Sequence, residues 1–398
     1  MIDDQNFQGR KVLIRVDFNV PLNANFEITD DARMQAALPT IQKVLTDGGS
    51  VILMSHLGRP KSGPEDKYSL GHIRSHLGAI TGKVVHFSPD CIGPEAEQKA
   101  EELAAGEILL LENLRFHSEE KAGNEEFARK LSLLGDYYIN DAFGTAHRAH
   151  ASTSIIAQNF EGSKCFGYLM RKELDNAEKV LQSPGRPFTA LVGGAKVSDK
   201  LLILENLMNI ADNILIGGGM AYTFIKAQGG NIGNSLCENE RLDLTKSLLV
   251  KAEEKGVSIV LPIDSVVSGE FSNDAETGVC PSDDIPENWM GLDIGPKAVE
   301  EYCSIIQESK TILWNGPMGV FEMSNFENGT KSVAHAVAES TENGAFSLIG
   351  GGDSAAAIKQ FSLVDQVSYV STGGGALLEY FEGKVLPGVA AIVGDHSS

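Results

Sequence analysis

The first half of the chain sets positive charge just beyond short apolar runs. Arg15 stands in Arg15-Val16-Asp17-Phe18-Asn19-Val20-Pro21, and Arg59 in Ser55-His56-Leu57-Gly58-Arg59-Pro60. Arg115 stands in Glu112-Asn113-Leu114-Arg115-Phe116-His117, Arg148 between His147 and His150, and Arg33 after a hairpin-like segment in Thr29-Asp30-Asp31-Ala32-Arg33. A guanidinium offers a planar fork that matches carboxylate and phosphate oxygens two at a time. Each such charge-assisted bond contributes about 1.5–3 kcal/mol. Several together point to a small, multiply charged anion. Asp17 and Asn19 would bind its hydroxyls or orient the cations. Taken singly, each arginine reads as a solvated salt bridge, and His56 reads equally as a structural histidine. Four arginines at strand ends favour the anion.

The second half sets glycines in the same places. Apolar runs lead into Gly193-Gly194-Ala195-Lys196-Val197-Ser198-Asp199-Lys200, Gly217-Gly218-Gly219, Asn315-Gly316-Pro317-Met318-Gly319-Val320-Phe321-Glu322, Gly350-Gly351-Gly352-Asp353-Ser354 and Gly373-Gly374-Gly375. Glycine lets backbone N–H groups approach a ligand. A strand, a glycine loop and a helix start together make an anion site from free amides and the helix dipole. Lys196 and Lys200, four apart at an expected helix start, would share a face, which suits a phosphate placed there. Asp353 would hold the Mg²⁺ of a nucleotide or cap the helix after it. Glu322 would accept from ribose hydroxyls or cap a turn. No GxxxxGK[ST] occurs, nor GxGxxG with an acidic residue about 20 further on.

These residues need strands to carry them. The runs Val12–Val16, Val51–Met54, Val84–Phe87, Ile108–Leu111, Tyr137–Ile139 and Cys165–Leu169 are short, apolar and separated by helical lengths. That pattern predicts a parallel sheet with crossover helices, whose ligands bind at the carboxyl ends of the strands. Pro21 has no N–H for a sheet and ends the first run. Phe188–Val192, Ile214–Ile216, Val257–Leu261, Thr311–Trp314, Phe346–Ile349 and Ser368–Val370 repeat the pattern. A chain of 398 residues exceeds one ordinary core, so two α/β domains are expected. Leu169–Leu181 has helical spacing and predicts a connecting helix, with a boundary near residue 170, or equally the last helix of the first domain. The tail from Glu382 to Ala390 is apolar enough to pack, and the residues leave open on which domain.

Composition narrows the function. A net charge of −21 argues against nucleic acid and anionic membrane, which need clustered positive charge. The five cysteines show no CxxC pair and no metal-ligand spacing, which predicts a reducing compartment. The N-terminus, Met1-Ile2-Asp3-Asp4, is acidic without an apolar stretch behind it, unlike a signal peptide. No apolar run approaches a membrane span of about 18 residues. The expected location is cytoplasmic.

Read together, Arg15–Pro21, Ser55–Pro60, Asn113–His117, Gly144–His150, Gly193–Lys200, Asn315–Glu322, Gly350–Ser354 and Gly373–Ala376 resemble, in order, the motifs of the phosphoglycerate kinases. The resemblance covers essentially the whole chain. It implies two Rossmann-like domains, each a parallel sheet flanked by helices, joined by a helix and hinge. Residues 1–170 would bind 3-phosphoglycerate or 1,3-bisphosphoglycerate, with the tail from about 380 to 398 packed back on them. Residues 171–379 would bind ADP or ATP with Mg²⁺. By motif, Asp17, Phe18, Asn19, Arg33, His56, Leu57, Gly58, Arg59, Arg115 and Arg148 match the phosphoglycerate site. Lys200, Glu322, Gly350, Gly351, Gly352 and Asp353 match the nucleotide site, with Asp353 serving the metal. Arg33, Lys196, Lys200, Gly373 and Gly374 match groups around the transferred phosphoryl. Leu377 departs from the family's usual Ser or Thr in the last glycine loop, near its hinge.

The implied reaction transfers a phosphoryl group between an acyl phosphate and ADP. The reverse acceptor is a carboxylate, ionised at neutral pH, so positioning and charge stabilisation remain as the enzyme's work. Transfer would follow hinge closure, and the resemblance implies a monomer. Two other readings are a non-catalytic two-domain protein that binds an anion and a nucleotide, and a dehydrogenase, which the missing fingerprint disfavours.

Overall fold

A computed structural model describes residues 1–61 and 63–394. In the first half, β1 (Lys11–Val16), β2 (Ser50–Met54), β3 (Val85–Ser88), β4 (Ile108–Leu111), β5 (Tyr137–Asp141) and β6 (Lys164–Phe166) form one sheet in the order β3-β4-β2-β1-β5-β6. All its pairings are parallel. Helices cover both faces, so the strands are apolar on both sides. Within β1, Val12, Ile14 and Val16 enter one core and Leu13 the other. The sixth strand is shorter than expected: it ends at Phe166, and Leu169 lies in the helix Tyr168–Gln182.

In the second half, β7 (Phe188–Val192), β8 (Asn213–Ile216), β10 (Ser258–Val260), β15 (Thr311–Asn315), β16 (Phe346–Gly350) and β17 (Tyr369–Val370) form a second parallel sheet. Its order is β10-β8-β7-β15-β16-β17. Counted within the sheet this is 3-2-1-4-5-6, the Rossmann order, in which ligands sit where the direction of winding reverses. Here that point lies between β7 and β15.

Two smaller sheets escape the apolar-run reading. β11 (Asp264–Ser268), β12 (Thr277–Pro281) and β14 (Met290–Ile294) pair antiparallel, and β9 (Asn231–Ile232) pairs with β13 (Asp284–Ile285). β12 alternates exposed and half-buried residues at the surface, so it has no apolar run to betray it.

Contacts divide the chain into two compact units: Met1–Leu174 with Val385–Ser398, and Asp175–Lys384. The division falls inside the helix Tyr168–Gln182. The tail is bound to the first unit through its backbone. Gly388 N donates to Ala146 O at 2.8 Å, and Asn140 Nδ2 donates to Gly388 O at 3.2 Å. Ala391 and Ile392 pack against that unit's core.

Asp141, the last residue of β5, is fully buried and accepts from Met170 N at 3.0 Å in the first turn of that helix. Burial pushes its carboxyl up to about 7, against the opposing bonds from Thr40 and the Met170 and Leu169 amides. A carboxyl raised on folding stabilises the fold when protonated, and that stabilisation is lost as pH rises from the unfolded value through 7. Asp141→Asn carries no such loss. The stability difference, variant minus parent, is expected to grow between about pH 4 and pH 7 by on the order of 1 kcal/mol per pH unit. Urea unfolding at several pH values measures it; a pH-independent difference would contradict the assignment.

Candidate active site

The first site is built at the carboxyl ends of β1 and β2. Arg33, in the first turn of the helix Ala32–Thr46, donates from Nη1 to Asp17 Oδ2 at 2.9 Å and to Asn19 O at 3.3 Å. Asn19 in turn receives Gly58 N on Oδ1 at 2.8 Å, and Phe18 N donates to Ser55 Oγ at 2.8 Å. The Arg33 side chain remains 40% exposed, so its guanidinium is held and still accessible. Gly58 has a φ of +63°, and a Cβ there would strike the Tyr68 ring. Its carbonyl receives Arg115 Nη1 at 2.8 Å. Asn113, buried, clamps the turn from below by donating to Leu57 O and Tyr68 O.

Electrostatics place the cations together. His56 is buried and pushed down to about 3, first by burial and then by Arg15, Arg115 and Arg33, with Asp17 opposing. His150 is pushed down to about 4 by burial and by Arg15, Arg115, Arg148 and His147. Both imidazoles are therefore neutral at pH 7, kept so first by burial and then by converging guanidinium charge. Burial pushes Asp17 up, but His56, Arg33 and Arg15 together bring it below its usual range. With His56 uncharged at neutral pH, the arginines hold it there. Arg59 and Arg148 are exposed, without a hydrogen bond or ion pair from their guanidinium groups among the described residues.

Arg15 belongs to the support. The sequence reading counted it among the pocket cations; the structure buries it within β1, 1% exposed. Its Nε donates to Ser152 Oγ at 2.8 Å, Nη2 lies 3.3 Å from His56 Nδ1, and Nη1 meets Val16 O. Ser152 also binds the buried Glu120 through N and Oγ at 3.0 and 2.6 Å.

The second site opens at the winding reversal of the other sheet. Gly193 N donates to Asn315 O at 2.9 Å, drawing the loops after β7 and β15 together. A cavity of about 540 Å³ follows them, walled by backbone at Gly194, Gly218 and Gly219 and by apolar Leu236, Phe271 and Met318. Glu322 and Asp353 line it too. Lys200 reaches Asn315 Oδ1 through Nζ, and Asn315 Nδ2 donates to Gly350 O at 2.9 Å. One buried amide thus joins the lysine to the glycine loop Gly350–Gly352. Burial lowers the Lys200 ammonium, while Asp199, Asp353 and Glu382 act in the other direction.

One expectation here is corrected, and one alternative is removed. The helix after the first glycine loop begins at Leu201, with Lys200 as its N-cap, so Lys196 and Lys200 do not share a helical face; Lys196 is exposed in the preceding loop. Asp353 is not a helix cap. Gly351, at φ +91°, holds that position, and Asp353 is the second residue of the helix Gly352–Gln360, its carboxylate exposed. An exposed carboxylate on a nucleotide-sized cavity fits a Mg²⁺ that arrives with phosphates.

Gly373 donates from N to Ser371 Oγ at 3.0 Å, and Gly374, at φ +51°, precedes the helix Gly375–Phe381. Leu377 of that helix is buried. A Cβ at Gly350 would stand 2.6 Å from its Cδ2, so Leu377 packs directly against the start of the Gly350–Gly352 loop. Asn113 and Asn315 do more positioning than the sequence reading gave them. The available signal was a lone amide at or just past the end of an apolar strand, Asn315 closing β15 and Asn113 two residues beyond β4, where it meets backbone carbonyls of the neighbouring loops.

The phosphoglycerate kinase family model matches residues 2–384. The chain belongs to the phosphoglycerate kinase family. A phosphoglycerate kinase from Porphyromonas gingivalis is 54% identical, covering 99% of this chain and 100% of that one. A cytosolic phosphoglycerate kinase from Nicotiana tabacum is 49% identical over 98% of this chain and 97% of its own. The solved structure of phosphoglycerate kinase from Coxiella burnetii superposes with a TM-score of 0.90 at 42% identity, covering 98% of both chains. Family membership therefore stands on the whole length of the chain, both glycine-rich and arginine-rich halves included.

Proposed function

We infer that this chain, as a phosphoglycerate kinase, catalyses reversible phosphoryl transfer from 1,3-bisphosphoglycerate to ADP, giving 3-phosphoglycerate and ATP. The observation that carries the reading is the pairing of an arginine cluster on one sheet with a glycine-walled cavity on the other, in a chain that matches this family over residues 2–384.

In the site as we read it, Arg59, Arg115 and Arg148 grip the phosphate and carboxylate of the three-carbon acid. Asp17 and Asn19 fix its hydroxyl and hold Arg33 in place. His56, neutral, donates or accepts without adding charge. On the other unit, Gly350–Gly352 offer backbone amides to the nucleotide phosphates and Glu322 accepts from the ribose. Asp353 would hold Mg²⁺, which when bound offsets phosphate charge. Lys196, Lys200, Arg33 and the Gly374 amide, with the Gly373 amide once it leaves Ser371 Oγ, stabilise the negative charge spread over the phosphoryl oxygens in transit. The acceptor carboxylate is already ionised, so no general base is required.

Each substrate has its own unit, so transfer requires the bound substrates to meet. We propose closure about the connecting segments, which brings Arg33 to the phosphoryl group and excludes the water that would hydrolyse the acyl phosphate. Small-angle scattering is expected to give a smaller radius of gyration with both substrates than with either alone; equal radii would contradict closure. A cytoplasmic place is supported by five free cysteines and the tobacco relative's name. Among the described residues no helix is long and apolar enough to cross a membrane. The monomeric state rests on the resemblance alone.

A coupled assay for ATP formation from 1,3-bisphosphoglycerate and ADP tests the activity. ATP produced at an enzymic rate supports it. Binding of both ligands without ATP formation would leave a non-catalytic binding protein instead.

A further inference from the structure

His117 ends a motif counted with the phosphoglycerate site, yet its side chain turns to another partner. Its Nε2 lies 2.7 Å from Asp90 Oδ1. Cys91, next in sequence to Asp90, brings its thiol to the same place: the donor atoms of Asp90, Cys91 and His117 all lie within 4.8 Å of one another. Topology brings the two loops together. β3 and β4 are parallel neighbours with Ser88 opposite Leu111, so the loops that leave them emerge side by side. One carries Asp90 and Cys91, the other His117.

We propose that Asp90, Cys91 and His117 form a binding site for a transition-metal dication of the Zn²⁺ class. Imidazole, thiolate and carboxylate are the three donor types that such ions take, and three protein donors with one open position is a common Zn²⁺ arrangement. Donors around a tetrahedral Zn²⁺ stand roughly 3.3–3.7 Å apart. Side-chain adjustment within the present spacing reaches that distance. The donors are already positioned. Asp90 Oδ1 receives Cys91 N at 2.6 Å, and the His117 ring packs 5.1 Å from the Phe127 ring. The field is right for a cation: Asp90 and Glu120 act on Cys91, Asp90 and Glu119 act on His117, and Lys130 is the opposing charge. Access exists through the Asp90 and His117 side chains, 49% and 27% exposed, above a buried Cys91. The ion would displace the thiol proton to solvent, and the proton that His117 Nε2 now shares with Asp90 would leave as well, to Nδ1 of a neutral ring or to solvent from a charged one. Magnesium, a hard ion, would not compete for sulfur and nitrogen.

The test uses the full chain, stripped with a chelator and titrated with Zn²⁺ against a chromophoric chelator, then with Co²⁺ as an optical probe. The expected result is one Zn²⁺ per chain, undisturbed by excess Mg²⁺, and a cobalt–thiolate charge-transfer band. Cys91→Ala is expected to remove the band. His117→Ala, at a partly exposed position that keeps folding intact if Cys91→Ala does not, is expected to weaken binding at least about tenfold. Cys280→Ala, at a separate thiol, is expected to change neither. No bound Zn²⁺, binding unaltered by His117→Ala, displacement by Mg²⁺, or a cobalt spectrum without the thiolate band would each overturn the proposal.

Discussion

Lys200→Ala is expected to lower kcat by about 10²–10³-fold, the cost typical of removing one preorganised donor from a charge-stabilising site. The affinity for 3-phosphoglycerate is expected to change little. The structure gives the reason for the asymmetry. Lys200 belongs to the second unit, for which we propose the nucleotide, and there Asn315 anchors its ammonium and Gly350 anchors Asn315. A donor held in this way does not reorganise when charge builds on the transferred group, so its contact strengthens in the transition state. Steady-state kinetics with a separate binding titration resolves the two effects. An unchanged kcat would remove Lys200 from the mechanism, and a loss confined to phosphoglycerate affinity would move it to the other site.

The second large effect is expected at Arg148. Arg148→Ala is expected to raise the dissociation constant for 3-phosphoglycerate by about 10- to 100-fold, the equivalent of one charge-assisted bond. ATP affinity should be untouched. Arg148 is exposed, with no ion pair from its guanidinium among the described residues, and it acts on His150 alongside Arg15 and Arg115. Since nothing among the described residues holds that guanidinium, removing it leaves no buried group stranded there, and the variant should fold as the parent does. Calorimetric titration reads the effect directly. Intact affinity would show that Arg148 is no ligand.

Arg148 and Arg15 also show how far the sequence could be read. Both follow an apolar stretch, and both were expected in the anion pocket. β1 runs on through Val16, so Arg15 lies inside the strand and its side chain enters the packed layer beside Ser152 and His56. Arg148 lies seven residues beyond the end of β5, on a surface turn. Which arginine is support and which is ligand depends on whether it lies within the strand, as Arg15 does in the run Val12–Val16, or well past it, and on what its side chain meets there; residue types alone do not fix that. The parallel sheets were legible because strands buried on both faces must be apolar throughout. β12 was not, because a surface strand with alternating exposure spreads its signal among Gly, Cys and Pro. Lys196 and Lys200 were placed on one helix because spacing by four suggests it, whereas the helix waits until Leu201. Asp90, Cys91 and His117 have no readable spacing at all; only the pairing of β3 with β4 joins them.

The account rests on a division of labour: guanidinium groups of the first unit hold the acid, and the glycine loops and Asp353 of the second hold the nucleotide with its metal. Titrating Arg148→Ala and Asp353→Asn, each with 3-phosphoglycerate and each with ATP and Mg²⁺, tests it most directly. Arg148→Ala is predicted to lose affinity for the acid alone, and Asp353→Asn for the metal nucleotide alone. Losses on the opposite ligands, or equal losses on both, would contradict the division.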